Sequence, residues 1–183
     1  MDLDSVKGEI ERVVVTDEQL QVRLKEIAAQ IEEDYKNQDL LLIGVLKGAV
    51  MVMADLSRYI NRHLDMDWMA VSSYGSGTKS SGVVRIMKDL DKDITGKNVL
   101  IVEDIVDTGL TLDWLSANLK SRGAKSVEIM TVLRKPDSAQ VEVAVKYVGF
   151  DIPKDFVIGY GLDFNEKYRN LPFIAVLAKH MYE

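Results

Sequence analysis

Apolar residues along this chain follow two rhythms, short continuous runs and longer stretches in which they recur every three or four positions. Leu20, Leu24, Ile27, Ile31 and Tyr35 keep the helical spacing, and Thr16 with Gln19 three residues on forms a capping-box signature, so a helix is expected there. Residues 40–45 are uniformly apolar, as a strand covered on both faces requires, and the run stops at Leu46-Lys47-Gly48. Residues 49–60 return to helical spacing, with Met51, Met53 and Met66 expected as core fillers. Strands are expected at 69–71 and 83–88, flanking S-S-Y-G-S-G-T-K-S-S-G (residues 72–82). That stretch is long for a turn in a compact domain, which makes it functional or disordered.

The stretch N-V-L-I-V-E-D-I-V-D-T-G-L-T (residues 98–111) combines the two rhythms. Val99, Leu100, Ile101 and Val102 predict a buried strand, ended by Glu103 and Asp104. Asp107-Thr108-Gly109 then leads into a helix carrying Thr111, Leu112, Trp114, Leu115 and Leu119. In open α/β sheets ligands bind beyond the carboxyl ends of strands, where a helix N-terminus offers free N–H groups to a phosphate. A further strand is expected at 127–133. Val141, Val143, Val145 and Tyr147 alternate with Glu142, Ala144 and Lys146 as in a strand with one wetter face, and residues 156–161 and 173–178 are short apolar segments. Strands alternating with helices, then a strand-rich tail, predict a parallel α/β sheet with helices on both faces and a small appended subdomain.

The 183 residues suit one domain with a sizeable core, and 47% hydrophobic against 28% charged residues argues against disorder. The net charge of -6 disfavours a broad nucleic-acid surface, so any phosphate site has to be built from backbone and a few cations. Without cysteine there is no disulfide, zinc-thiolate site or cysteine nucleophile. The first residues, M-D-L-D-S-V-K-G-E, have neither the cationic start nor the apolar core of a signal peptide. Residues 40–56 are mostly apolar, but Lys47 and Asp55 speak against a membrane span.

Two candidate motifs fail. Asp89, Asp91 and Asp93 resemble the start of a calcium loop, yet Ile94 stands where glycine is needed and Leu100 where the closing glutamate belongs. The glycines from Gly75 to Gly82 match neither a P-loop nor G-x-G-x-x-G, because Thr78 separates Gly77 from Lys79. His63 and His180 lie outside every motif and are read as structural. The acid pair is different, since two carboxylates followed by D-T-G-x-T can hold vicinal hydroxyls or a metal at one end and a phosphate at the other.

That segment, V-E-D-I-V-D-T-G-L-T, resembles the phosphoribosyl-pyrophosphate motif of type I phosphoribosyltransferases. Other stretches resemble the hypoxanthine-guanine branch of that family: Val45-Leu46-Lys47-Gly48 its pyrophosphate loop, Ser73-Tyr74 its mobile catalytic loop, and Lys135-Pro136 its base-recognition segment. The tail F-D-I-P-K-D-F-V-I-G-Y-G-L-D-F-N-E-K-Y-R resembles its purine pocket.

The resemblance implies a single domain over residues 1–183, with a core at about 13–150 and a hood formed mainly by 151–183 with the N-terminal segment. It implies that Glu103 and Asp104 hold the ribose hydroxyls and magnesium, and that Asp107 is the general acid/base. Thr108, Gly109, Leu110 and Thr111 would wrap the 5′-phosphate, while Lys47, Gly48 and Arg169 would meet the pyrophosphate. Lys135 would donate to a 6-oxo group, Phe156 would stack on the purine, the Val157 backbone would meet its edge, and Asp163 would bind magnesium beside the base. Ser73 and Tyr74 would close over the site, and the Leu46–Lys47 peptide would be cis. Arg134 and Lys135 are adjacent, and which of them faces the base is open.

The implied protein is a cytoplasmic, magnesium-dependent transferase that works on phosphoribosyl pyrophosphate and a 6-oxopurine as a homodimer or homotetramer, without nucleic acid or membrane. The alternative is a regulator of pyrimidine operons that keeps the fold and binds RNA. The acidic balance and the intact Lys135 and Phe156 segments speak against it.

Overall fold

In the computed structural model, which describes residues 1–74 and 83–183, β1 (Ile10–Val15) leads through Thr16 into α1 (Asp17–Asp34). The capping box forms in full: Thr16 accepts from the Gln19 N–H at 3.2 Å, and the Gln19 side chain accepts from the Thr16 N–H at 2.9 Å. Leu20, Leu24, Ile27 and Ile31 are buried along one face of α1. Each such side chain contributes about 1.5–3 kcal/mol, against about 1 kcal/mol for a cap. The cap therefore sets where α1 begins, and burial holds it in place.

The chain continues as β2 (Leu40–Leu46), α2 (Val50–Tyr59), β3 (Asp65–Tyr74), β4 (Val83–Lys88), β5 (Asn98–Val106), α3 (Leu110–Ser121), β6 (Ser126–Arg134), β7 (Tyr147–Asp151), β8 (Val157–Ile158) and β9 (Ile174–Leu177). Among the described residues the main sheet has the order β4-β3-β2-β5-β6-β7. All its neighbours are parallel except the β3–β4 pair. Leu40, Leu42, Leu100, Val102, Met130 and Val132 face the cluster built on α1 and α2, whereas Leu41, Ile43, Val45, Val99, Ile101 and Ile129 face the cluster built on α3. The uninterrupted apolar runs thus serve two covered faces. A second sheet, in the order β1-β9-β8 and antiparallel, turns Val157, Ile174 and Val176 toward the main core and Ile158, Ala175 and Leu177 toward a small cluster with Val6 and Leu171.

Several expectations change. Met53 is buried, but Met66 is exposed on β3 and is no core filler. β3 is longer than the expected 69–71 because it follows β2 from Asp65 onward, and β1 had no counterpart in the expectations. Val141, Val143 and Val145 do alternate between half-buried and exposed neighbours, yet the ladder starts only at Tyr147. Before it, Gln140 and Val141 donate to the Thr108 carbonyl instead of to a strand. His63 and His180 are both exposed surface residues. Ser73 and Tyr74 end β3, while the Gly/Ser loop of residues 75–82 and its expected closure lie outside the described residues.

Candidate active site

The chain leaves β2 through α2 toward β3 on one side of the sheet, and leaves β5 through α3 toward β6 on the other. Adjacent strands whose connections diverge open a crevice at their carboxyl ends. A cavity of about 430 Å³ lies there, lined by Lys47 and Gly48 from the β2 exit, by Glu103, Asp104 and Asp107 from β5, and by Lys135 after β6. Phe156, Val157, Asp163 and Arg169 come from the tail. An adjoining hollow of about 250 Å³ shares the three acids and extends to Thr108, Gly109 and Thr111. Leu110 begins α3 beside it without lining it. A larger opening, about 560 Å³, sits among the opposite strand ends around Asp39, His63, Asp65 and Lys97. Size alone therefore does not select the site; the convergence of charged groups does.

Glu103 is buried and Asp104 half-buried. Burial pushes the Glu103 carboxyl well above its ordinary range, and the Asp104 charge beside it adds to this. Burial also raises Asp104, opposed by N–H donors, chiefly Ile105 at 2.7 Å, by Glu103, and by the Arg169 charge. Two such acids favour a cation or a set of hydroxyl donors. The Gly48 backbone packs directly on Asp104, in space a side chain would need. The Leu46–Lys47 peptide is cis.

The 107–109 turn is tied down from outside, because the Thr108 carbonyl accepts from Gln140 and Val141 at 3.0 and 3.2 Å. Gly109 adopts φ 82°, and a Cβ there would come within 2.6 Å of the Val141 carbonyl oxygen. Gly109 is also the N-cap of α3 and offers no side-chain acceptor, so the first N–H groups of that helix stay available to an anion. Lys135, buried with its backbone N–H on the Val106 carbonyl, donates from Nζ to Asp107 Oδ2 at 3.2 Å. Arg134 instead points along the sheet and grips Asp151 with two hydrogen bonds of 2.7 and 3.0 Å. Of the adjacent pair, Lys135 alone lines the cavity.

In the tail, Phe164 and Lys167 exchange backbone hydrogen bonds across a tight turn in which Asn165 and Glu166 both have positive φ. Arg169 donates to the Gly161 carbonyl at 2.8 Å and pairs with Asp163 at 2.8 Å and Glu166 at 3.4 Å. Glu166 also meets Lys47 at 3.1 Å, bridging the two expected pyrophosphate cations. Nothing in the sequence singled it out, because the contact spans 119 positions and depends on how the hairpin folds back. Glu103, Asp104 and Asp163 line one cavity, but among the described residues no three acids or histidines are grouped closely enough to hold a metal unaided. Among the described residues no helix is long and apolar enough to cross a membrane.

Residues 15–165 match the model of the phosphoribosyl transferase domain. The chain is 56% identical over 182 residues to the hypoxanthine-guanine phosphoribosyltransferase of Mycobacterium tuberculosis, covering 96% of this chain and 90% of that protein. It is 48% identical over 178 residues to that of Bacillus subtilis, covering 97% and 99%. A crystal structure of a hypoxanthine phosphoribosyltransferase from Staphylococcus aureus superposes with a TM-score of 0.95 at 45% identity, covering 98% of this chain and 97% of the other.

Proposed function

The chain belongs to the phosphoribosyl transferase family, and from that premise we propose a purine-salvage enzyme that joins hypoxanthine or guanine to the 5-phosphoribosyl group of phosphoribosyl pyrophosphate, releasing IMP or GMP and pyrophosphate. The observation that carries this reading is one cavity at the β2/β5 divergence holding the buried Glu103 beside the half-buried Asp104, an aspartate bonded to a lysine, and a partly exposed aromatic ring.

The N9–C1′ bond forms as the C1′–oxygen bond to pyrophosphate breaks. Positive charge grows on the sugar ring and negative charge on the leaving group. Glu103 and Asp104 face the ribose hydroxyls and its developing charge, while Lys47 and Arg169, beside Gly48, receive the leaving group. Asp107 takes the proton that the base loses. Lys135, 3.2 Å from Asp107, donates to the 6-oxo group, Phe156 stacks on the ring, and the Val157 backbone meets its edge. Thr108, Gly109, Leu110 and Thr111, at the uncapped start of α3, wrap the 5′-phosphate.

The chemistry of the donors suits magnesium: Glu103, Asp104 and Asp163 offer hard carboxylate oxygens and would hold the ion together with substrate oxygens and water, since they are too few to enclose it. When bound, the ion neutralises pyrophosphate charge. The same reading makes the protein cytoplasmic and self-associating, as a homodimer or homotetramer, which sedimentation in dilute solution tests.

The decisive experiment measures pyrophosphate release with hypoxanthine, guanine, xanthine, orotate and uracil, with and without magnesium. Turnover with the 6-oxopurines that stops on chelation is expected. Turnover with orotate or uracil alone overturns the purine assignment.

A further inference from the structure

We infer that Tyr182 is a positioning residue for the purine subsite, holding the Phe156 ring in the orientation that a planar base needs; the inference rests on the reading of Phe156 as the stacking residue. The Phe156 backbone is fixed, since its carbonyl accepts from the Leu177 N–H at 3.0 Å at the mouth of the second sheet. Its ring is not buried. At 41% exposure it lines the cavity while staying outside all three core clusters, so its orientation depends on whatever touches it from outside the cavity.

Two aromatic rings do so. Phe164, on the tail hairpin, meets it edge-on with centroids 5.8 Å apart and planes at 88°. Tyr182 lies 5.4 Å from it with planes at 35°, and the Tyr182–Phe164 distance of 6.4 Å closes the triangle. Neither Tyr182 nor Phe164 lines the cavity.

Tyr182 reaches this position through a built turn. After β9 the Ala178 N–H is anchored on the Glu9 carbonyl at 2.9 Å, Met181 donates to Ala178 at 2.9 Å and Tyr182 to Lys179 at 3.0 Å. A single turn of 3-10 helix thus swings the ring back over Phe156. Tyr182 is itself 41% exposed and belongs to no core cluster. The contact therefore contributes less to folding than to restraining one ring. Restraint matters at such a site because a ring already ordered loses less freedom when the base arrives. Aromatic pairs at these separations are worth roughly two- to tenfold in an equilibrium.

The test is a double-mutant cycle on Tyr182 and Phe156, reading KM for hypoxanthine, KM for phosphoribosyl pyrophosphate and kcat in each variant. Tyr182→Ala is expected to raise KM for hypoxanthine by roughly two- to tenfold, with KM for phosphoribosyl pyrophosphate unchanged. Tyr182→Phe should behave like the parent. Tyr182→Leu, which keeps the apolar bulk if the alanine variant folds poorly, should behave like Tyr182→Ala. In a Phe156→Ala background the loss of Tyr182 should add little.

An unchanged KM for hypoxanthine in Tyr182→Ala or Tyr182→Leu, with Phe156→Ala raising it, overturns the role of Tyr182 and leaves the purine reading intact. So does full additivity of the two losses, or an equal rise in both KM values. If Phe156→Ala itself leaves KM for hypoxanthine unchanged, the stacking assignment falls and this inference with it.

Discussion

Gly48→Ala asks whether the acids at the end of β5 have to sit where the β2 exit leaves them. A methyl group at residue 48 would overlap the Asp104 Oδ2 atom outright and would stand 2.5 Å from Cγ and 3.2 Å from Oδ1. Carbon atoms in contact prefer about 3.5–4.0 Å, and the overlap with Oδ2 is closer still, so the loop or the carboxylate must retreat by more than about 1 Å. Gly48 is not among the residues with positive φ, so the backbone itself accepts alanine and the conflict is purely one of space. Asp104 has little room to turn, because Oδ1 accepts from the Ile105 N–H at 2.7 Å and its neighbour Glu103 is buried. A displacement of about 1 Å in a reacting site costs about 100-fold in rate, or about 2.7 kcal/mol of barrier. Overpacking costs about 1–3 kcal/mol of stability. In a chain of this size each kcal/mol lowers Tm by about 2–4 °C, which leaves the variant folded in the assay. Steady-state kinetics should therefore show kcat/KM for phosphoribosyl pyrophosphate down about 100-fold, while a thermal melt shows a loss of roughly 2–12 °C. A variant within about threefold of the parent in kcat/KM, well short of the expected loss, would refute the claim that this glycine sets the position of the acid.

Asp107→Asn keeps an acceptor for Lys135 but cannot take a proton, so kcat should fall by about 100- to 10,000-fold with Tm nearly unchanged; near-parent turnover removes Asp107 from its role. Glu166→Gln frees Lys47 and Arg169 from a carboxylate that pyrophosphate, on the proposed reading, would have to displace. KM for phosphoribosyl pyrophosphate should then fall by roughly 1.5- to 5-fold, the worth of an exposed ion pair, and a raised KM would show that the bridge supports the site. The hydrogen bonds from Arg134 hold the Asp151 carboxyl below the usual carboxylate range. A lowered folded-state pKa gives stability that is present above the ordinary aspartate value of about 3.9 and is lost as pH falls through the folded value. Asp151→Asn should therefore be less stable than the parent by at most about 1 kcal/mol at neutral pH, with the gap closing as acid protonates the folded-state carboxyl; a melting deficit undiminished once that carboxyl is protonated contradicts the pairing.

Much of this protein follows from local order along the chain. The capping box at Thr16 and Gln19, the two-faced apolar runs of β2 and β5, and the order of strand, acids, turn and helix from Asn98 to Thr111 are short-range features, decided by neighbouring residues and burial periodicity. They were legible because a strand covered on both faces leaves no polar position, and a tight turn that opens a helix needs its small residues in one place. The stretch 141–145 shows the limit. Its alternation correctly marks which side chains are half-buried, but pairing requires a neighbouring backbone, and here β6 is met only from Lys146, whose N–H donates to the Ile129 carbonyl at 2.9 Å. Met66 failed for a similar reason, since hydrophobicity alone does not say which face of β3 is covered.

The sequence by itself determined most of the elements, the α/β class and the order of strand, acids, turn and helix at the end of β5. Tertiary structure alone decided which distant groups gather around those acids. Lys135 rather than Arg134 enters the cavity because Arg134 finds Asp151 on the adjacent strand, Glu166 meets Lys47 across 119 positions because a hairpin folds back, and Tyr182 reaches Phe156 because one turn after β9 reverses the chain. Side-chain direction and long-range proximity depend on how whole elements pack. No local pattern encodes them.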